Sequence, residues 1–312
     1  MTSEGIEGAR AEPAELLSVA MVSLLLDPWL AGRDVESVEL LPGGVANRNF
    51  LLRLNGRPRE CVLRLYDRDP AACTREVAVL GLVGRDLPVP RVLYVEESPE
   101  MGPPLSVLSV IDGISLDTLR SFGDDEALAS AAFETGRTLA GLSRFPGPPM
   151  SSGPLPQAIH AACSTPTFER RVESTLRREL RAFAERWAPR VEEAAHDRCL
   201  VHGDFTSCNV FVTRGEDGWR VSALLDWELA ASGSPYRDIG RLLRFHRADR
   251  PRYEPAFSEG LRAGGMQLPS DWLTIARVSD LPHLCEVLGR PTTPDAAVDE
   301  LLALLRGMIA DG

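Results

Sequence analysis

A chain of 312 residues, 44% hydrophobic and 25% charged, can bury enough apolar mass for two modest lobes around a cleft. Its formal charge of −11 disfavours nucleic acid as a partner and favours a cationic ligand. All 34 basic residues are arginine, which excludes Schiff-base catalysis, a lysine general base and the lysine-dependent Walker A phosphate loop.

The longest apolar run, "LLSVAMVSLLL" at 16–26, lies between Glu15 and Asp27 and is short for a bilayer span. The segment before it is more acidic than basic, which argues against a secretory leader. The reading is an N-terminal helix over about 13–27 in a cytoplasmic protein with no membrane partner. The six cysteines form no CxxC pair, so they read as reduced, mostly buried thiols and argue against a zinc site.

The first third predicts strands. "VESVELL" (35–41) alternates and runs into the turn "PGG" at 42–44. "RNFLLRL" (48–54) and "RECVLRLY" (59–66) flank "NGRP", and Asn55-Gly56 between alternating runs signals a hairpin. "AACTREVAVLGLVGR" (71–85) fits a helix opened by Pro70, and further strands are expected near 90–96 and 105–111. From Ser115 the pattern turns helical, interrupted by a Pro/Gly/Ser-rich loop at 145–156. Phe168, Val172, Leu176, Leu180, Phe183, Trp187 and Val191 form the stripe of one long helix, capped by Thr165 with Pro166 at its first position. A last helical stripe runs through Val298, Leu301, Leu302, Leu305 and Ile309. The expected fold class is α+β, with a small antiparallel β lobe over 1–112 and a larger, mainly helical lobe over 113–312.

Inside the helical part, "LVHGDFTSCNVFV" (200–212) is hard to explain as packing. His202, Gly203, Asp204, Ser207 and Asn209 crowd one polar loop between two apolar runs. "NVFVTRGEDGWRVSALLDWE" then offers two strands joined at 214–218, the second ending at Asp226. A hairpin there would bring Asn209 and Asp226 side by side, an oxygen pair suited to Mg²⁺. His202-Gly203-Asp204 alone also fits an ordinary turn, and "PGG" alone means no more than a turn.

Taken together, "HGDFTSCN" followed by "LLDWE" resembles the catalytic loop and metal site of the aminoglycoside phosphotransferase and choline kinase superfamily. The resemblance extends to "LPGGVANRNFLLRL" and "GSPYRDIGRLLR", covers roughly 38–245 and is strongest at 198–241. It implies the two-lobed protein-kinase-like fold, with a nucleotide-binding N-terminal lobe and transfer of the γ-phosphate of ATP to a hydroxyl. By the same resemblance Asp204 receives or orients the substrate proton, His202 braces the loop, and Asn209 and Asp226 hold Mg²⁺. Gly43 and Gly44 let the backbone approach the phosphates, and Asp238 braces the catalytic loop. Arg64 stands where most kinases have their ATP-binding lysine, as in choline-kinase-like relatives, and Glu76 is its ion-pair partner.

The acceptor is then a small molecule with a hydroxyl, and the acidic balance tilts it toward a cationic one such as an aminoglycoside. Glu228 and Asp271 read as solvated rather than as the lining of an acidic pocket, and Trp227 as packing beneath the metal loop. The histidines at 160, 196, 246 and 283 read as structural or exposed. Two other functions compete. A catalytically silent nucleotide-binding regulator is suggested by Arg64 and the absence of lysine, and a metal-dependent hydrolase would use His202, Asp204 and Asp226.

Overall fold

The computed structural model describes residues 17–42, 47–147, 154–194, 198–216, 218–244 and 250–311. They divide into two compact units, one containing the chain up to Asp112 together with Ser222–Glu228, the other Gly113–Val221 and Leu229 onward. The architecture is mixed α+β, with the main antiparallel sheet in the first unit and most helices in the second.

In the first unit, α1 (Val19–Leu30) precedes β1 (Val35–Leu40), β2 (Arg48–Leu54), β3 (Glu60–Leu65), α2 (Ala71–Val83), β4 (Val92–Glu96) and β5 (Leu105–Ser109). The strands form one sheet in the order β1-β2-β3-β5-β4, every pair antiparallel. Alternation sends Phe50, Leu52, Leu54, Cys61, Leu63, Leu65, Leu105 and Val107 into one core, closed by Val22, Leu26 and Leu30 of α1. The same period puts Arg64 on the opposite face, paired across the ladder with Asn49 and Ser106. In α2, Ala72, Cys73, Glu76, Val79, Leu80 and Val83 recur at helical spacing and are all buried, so a glutamate lies on the inner stripe.

Several expectations need correction. The helix α1 begins at Val19, capped by Ser18, rather than near residue 13, and runs beyond Asp27 to Leu30, because Leu30 still contributes to the core. The β2–β3 connection is wider than an Asn-Gly turn: the Leu54 N–H reaches the Arg59 carbonyl, while Asn55 pairs through its side chain with Asp34.

In the second unit, β6 (Ile114–Ser115) leads into α3 (Leu116–Ser121), α4 (Asp125–Leu142), α5 (Leu155–Cys163), α6 (Pro166–Arg171) and α7 (Ser174–Ala194). Then come β7 (Cys199–Val201), β8 (Val210–Gly215), β9 (Gly218–Leu224), β10 (Ala231–Gly233), α8 (Tyr236–Leu243), α9 (Arg250–Ala263), α10 (Trp272–Gly289) and α11 (Asp295–Asp311). The expected single long helix is two. Thr165 caps α6 as read, but Val172 is extended, at φ −110° and ψ 119°, and α7 restarts at Ser174. The break has a physical cause: Arg171 donates to the carbonyls of Leu288, Arg290 and Thr293, anchoring the end of α6 to the C-terminal end of α10. The stripe still packs, with Phe168, Val172, Leu176, Leu180, Phe183 and Val191 buried. Among the described residues no helix is long and apolar enough to cross a membrane, and all six cysteines are free, five of them buried.

The crossing of α8 on α10 positions the site. A Cβ on Gly240 would stand 2.0 Å from the Ala276 carbonyl oxygen and 2.9 Å from the Asp280 Cβ, so only glycine admits this approach. Gly240→Ala is therefore expected to destabilise the protein by about 1–3 kcal/mol, the usual cost of overpacking. Urea unfolding measures it; an unchanged midpoint would show that the helices yield at no cost.

Candidate active site

Each unit carries one polar constellation. In the second unit the loop between β7 and β8 begins where β7, paired with β10, runs out of partners. Gly203 turns the chain at φ +85°, where a Cβ would lie 2.1 Å from the Leu229 carbonyl oxygen. Asp238, in the first turn of α8 and 1% exposed, accepts the His202 N–H at 2.7 Å on one oxygen and the Gly203 N–H at 3.0 Å on the other. A buried carboxylate thus satisfies two buried backbone donors and sits at the favourable end of the helix dipole. His202 is fully buried; its Nδ1 accepts the Asp204 N–H at 3.3 Å and its ring meets Phe205 edge-on.

The Asp204 carboxylate is held at both ends. Asn209 donates from Nδ2 to Asp204 Oδ2 and to the Asp204 carbonyl, each at 2.9 Å, and Arg241 donates from Nη1 to Oδ1 at 2.9 Å. With its amide hydrogens on Asp204, Asn209 keeps its carbonyl oxygen as the end that can hold a cation. Arg241 reaches from Nε to Asp280 at 3.2 Å, and Arg244 grips both Asp280 oxygens at 2.6 Å. Beside these groups lies a pocket of about 190 Å³, lined by Gly203, Arg241, Asp280, Arg237, His283 and Glu286 among others. Burial, then the surrounding arginines, lower the His283 pKa well below its ordinary value, so that imidazole is neutral at pH 7.

In the first unit the hub is Arg64, on the α2 side of the sheet. Its Nε lies 3.0 Å from Glu76 Oε2, its Nη2 contacts Asp226 and is 3.8 Å from Glu228. Glu76 also accepts the Tyr66 hydroxyl at 2.6 Å and the Trp227 N–H at 3.1 Å, so α2 holds the segment carrying Asp226 through the backbone. Trp227 is fully buried and donates its indole N–H to the Leu224 carbonyl, while Asp226 stands at φ +69°. Glu228, read as solvated, is half-buried instead: Asn47 donates to its carboxylate at 2.5 Å and Arg75 to its carbonyl at 2.6 Å. Burial and the neighbouring Asp226 charge push its carboxyl up to about 7. Burial opposes the Arg64 charge, but Asp226 and Glu76 outweigh it and raise its pKa; burial raises that of Glu76, against the pull of Arg64. Asp271, also read as solvated, forms a two-bond ion pair with Arg190.

The structure thus joins Asp204 with Asn209 and His202 in one constellation, and Arg64 with Glu76 and Asp226 in the other. Gly43 and Gly44 lie outside the described residues. Among the described residues no group of three or more His, Cys, Asp or Glu side chains could hold a metal ion. Sequence reasoning missed Arg241. The available signal was an arginine three residues after Asp238, flanked by Ile239, Leu242 and Leu243 on a short helix whose inner face is apolar.

The profile described as "Phosphotransferase enzyme family" matches residues 37–272. Comparison with curated proteins returned no match. Among solved structures, the GDP complex of wild-type aminoglycoside 2'-phosphotransferase-IIIa superposes with a TM-score of 0.70 at 19% identity, covering 95% of this chain and 99% of the other. Aminoglycoside phosphotransferase APH(4)-Ia, as a thermostable mutant in ternary complex with ADP and hygromycin B, gives 0.64 at 18% identity, covering 93% and 98%. The GDP and kanamycin complex of APH(2")-IIIa gives 0.65 at 19%, covering 93% and 99%. At these identities the likeness establishes the kinase-like fold.

The buried Arg64–Glu76 pair yields a stability prediction. Side-chain exposures of 8% and 2% mean that Glu76→Ala removes a buried partner of Arg64 and leaves the Tyr66 hydroxyl and Trp227 N–H without their acceptor, while Asp226 and Glu228 remain beside the guanidinium, an expected loss of about 1–3 kcal/mol. Denaturant unfolding checks it, and a loss within experimental error would show that Asp226 and Glu228 carry the charge unaided.

Proposed function

Because the chain belongs to the phosphotransferase enzyme family, we propose that it transfers the γ-phosphate of ATP to a hydroxyl of a small molecule. The observation that carries this reading is Asp204, an aspartate whose backbone and both carboxylate oxygens are held, in a loop that Asp238 fixes from beneath. A carboxylate so held can receive or orient the proton of an incoming alcohol without reorganising.

The donor set fits Mg²⁺. Three carboxylates, those of Glu76, Asp226 and Glu228, surround the single Arg64 guanidinium, so that constellation carries surplus negative charge. Asp226 and the carbonyl oxygen of Asn209 are each assigned as a Mg²⁺ ligand, two protein oxygens being few enough for an ion that takes its remaining ligands from phosphate and water. Bound there, the ion would neutralise charge on the phosphates during transfer. Arg64 is assigned to an α- or β-phosphate, which a guanidinium can grip through two parallel bonds. Glu76 holds that guanidinium, and Gly43 and Gly44 are assigned to the phosphate loop. His202 keeps the loop in register by accepting the Asp204 N–H.

The net charge of −11 favours a cationic acceptor. Similar folds have been solved with hygromycin B and kanamycin, which makes aminoglycosides the first compounds to test. Phosphoryl transfer rests mainly on positioning and charge, so losing Asp204 should remove the chemistry and spare nucleotide binding. ADP release with ATP, Mg²⁺ and a panel of amines and alcohols is the test. Turnover should stop on chelation of Mg²⁺, and Asp204→Ala should lose roughly 10²–10⁴-fold in kcat with little change in ATP affinity. Near-normal turnover in that variant would refute the role of Asp204. ATP binding without turnover across the whole panel would favour the silent regulator.

A further inference from the structure

We infer that Arg241 is the positioning residue for Asp204, and that Asp280 and Arg244 set its orientation. The inference rests on the reading of Asp204 as the group that faces the acceptor hydroxyl.

A carboxylate anchored at one oxygen can still swing about its last torsion. Asn209 alone would leave Asp204 in that condition, since its amide touches Oδ2 and the backbone carbonyl. Arg241 Nη1 on Oδ1 completes the clamp. Both partners are well out of water, with side-chain exposures of 5% and 15%, so the contact is screened little.

The guanidinium is itself directed. Its Nε edge is spent on Asp280 Oδ1, and the Asp280 carboxylate is fixed by two bonds from Arg244. A planar guanidinium held at one edge presents its other nitrogens in a set direction. Asp204, Arg241, Asp280 and Arg244 therefore form a chain of two negative and two positive groups, in which every buried charge has an opposite neighbour. A lysine at 241 would keep the charge but could not reach both acids along fixed directions.

One helix holds the loop twice. Asp238 and Arg241 lie three residues apart and so on one face of α8; the first binds the backbone at His202 and Gly203, the second the Asp204 side chain. Gly240, between them, brings α8 close enough to α10 for Asp280 to enter the chain. Orientation of the reacting carboxylate thus depends on the α8–α10 packing.

The test is steady-state kinetics with ATP and an acceptor that wild-type enzyme phosphorylates, rates being normalised to folded protein by near-ultraviolet circular dichroism. Arg241→Met should lower kcat by about 10²-fold, the scale of a misplaced reacting group, while KM for ATP stays within about twofold. Arg241→Lys should recover part of the loss. Asp280→Asn, which leaves Arg241 against Asp204 but loosens its direction, should fall between Arg241→Met and wild type. In an Asp204→Asn background, Arg241→Met should cost no further residual activity, because there is no carboxylate left to orient. An unchanged kcat in Arg241→Met and in Arg241→Lys would overturn the inference, as would an undiminished cost of Arg241→Met in the Asp204→Asn background. Should Arg241→Met fail to fold, a wild-type kcat in both Arg241→Lys and Asp280→Asn would overturn it equally. These outcomes require an active wild type whose turnover depends on Asp204, so they are distinct from a failure of the kinase reading, in which wild type shows no transfer at all.

Discussion

Two backbone N–H groups, those of His202 and Gly203, point into the buried carboxylate of Asp238. Unpaired, each donor would cost a desolvation penalty and the carboxylate a larger one, so loop and helix each fix the position of the other. The loop has few alternatives: Gly203 has a positive φ and lies against the Leu229 carbonyl, where no side chain fits. With the backbone fixed at 202–203, Asp204 leaves the turn in one direction, and Asn209 and Arg241 need only fix its carboxylate. The chemistry we propose depends on this local rigidity more than on any unusual side chain.

Arginine as the sole basic side chain shapes both constellations. A guanidinium stays charged when buried and binds several acids at defined angles, whereas a buried ammonium would tend to lose its proton. Arg64 accordingly works against Glu76, Asp226 and Glu228, and Arg241 against Asp204 and Asp280. The balances differ. Around Arg64 the acids exceed the bases, while the Asp204–Arg241–Asp280–Arg244 chain is neutral. The pocket beside that chain has both arginine and acid in its lining and so does not share the strongly acidic balance of the whole chain.

Much of this was legible in the sequence, for reasons of distance along the chain. Strands β1 to β5 could be placed because a period of two is local, and the 202–209 loop stood out because its polar residues interrupt two apolar runs. Features that depend on remote partners could not be read from local pattern; the Arg64–Glu76 pair and the Asp238 brace were legible only through the family resemblance. The break between α6 and α7 is imposed by carbonyls beyond residue 287, and Glu228 is drawn out of water by Asn47 and Arg64. Arg241 escaped because an arginine on a helix ordinarily faces solvent; only the proximity of α10 and the loop makes it interior. Glu76 was nearer the surface of legibility, since its place in the stripe Ala72, Cys73, Val79, Leu80 is local, while its ion pair is not.

The most direct measurement is turnover and nucleotide affinity in Asp238→Ala, a change that touches neither the reacting carboxylate nor an assigned phosphate or metal ligand. With the His202 and Gly203 donors released, the account requires phosphoryl transfer to fall by at least about tenfold, one to two orders being typical when an orienting partner is lost, while ATP still binds. Transfer at the wild-type rate by a folded Asp238→Ala enzyme would contradict it.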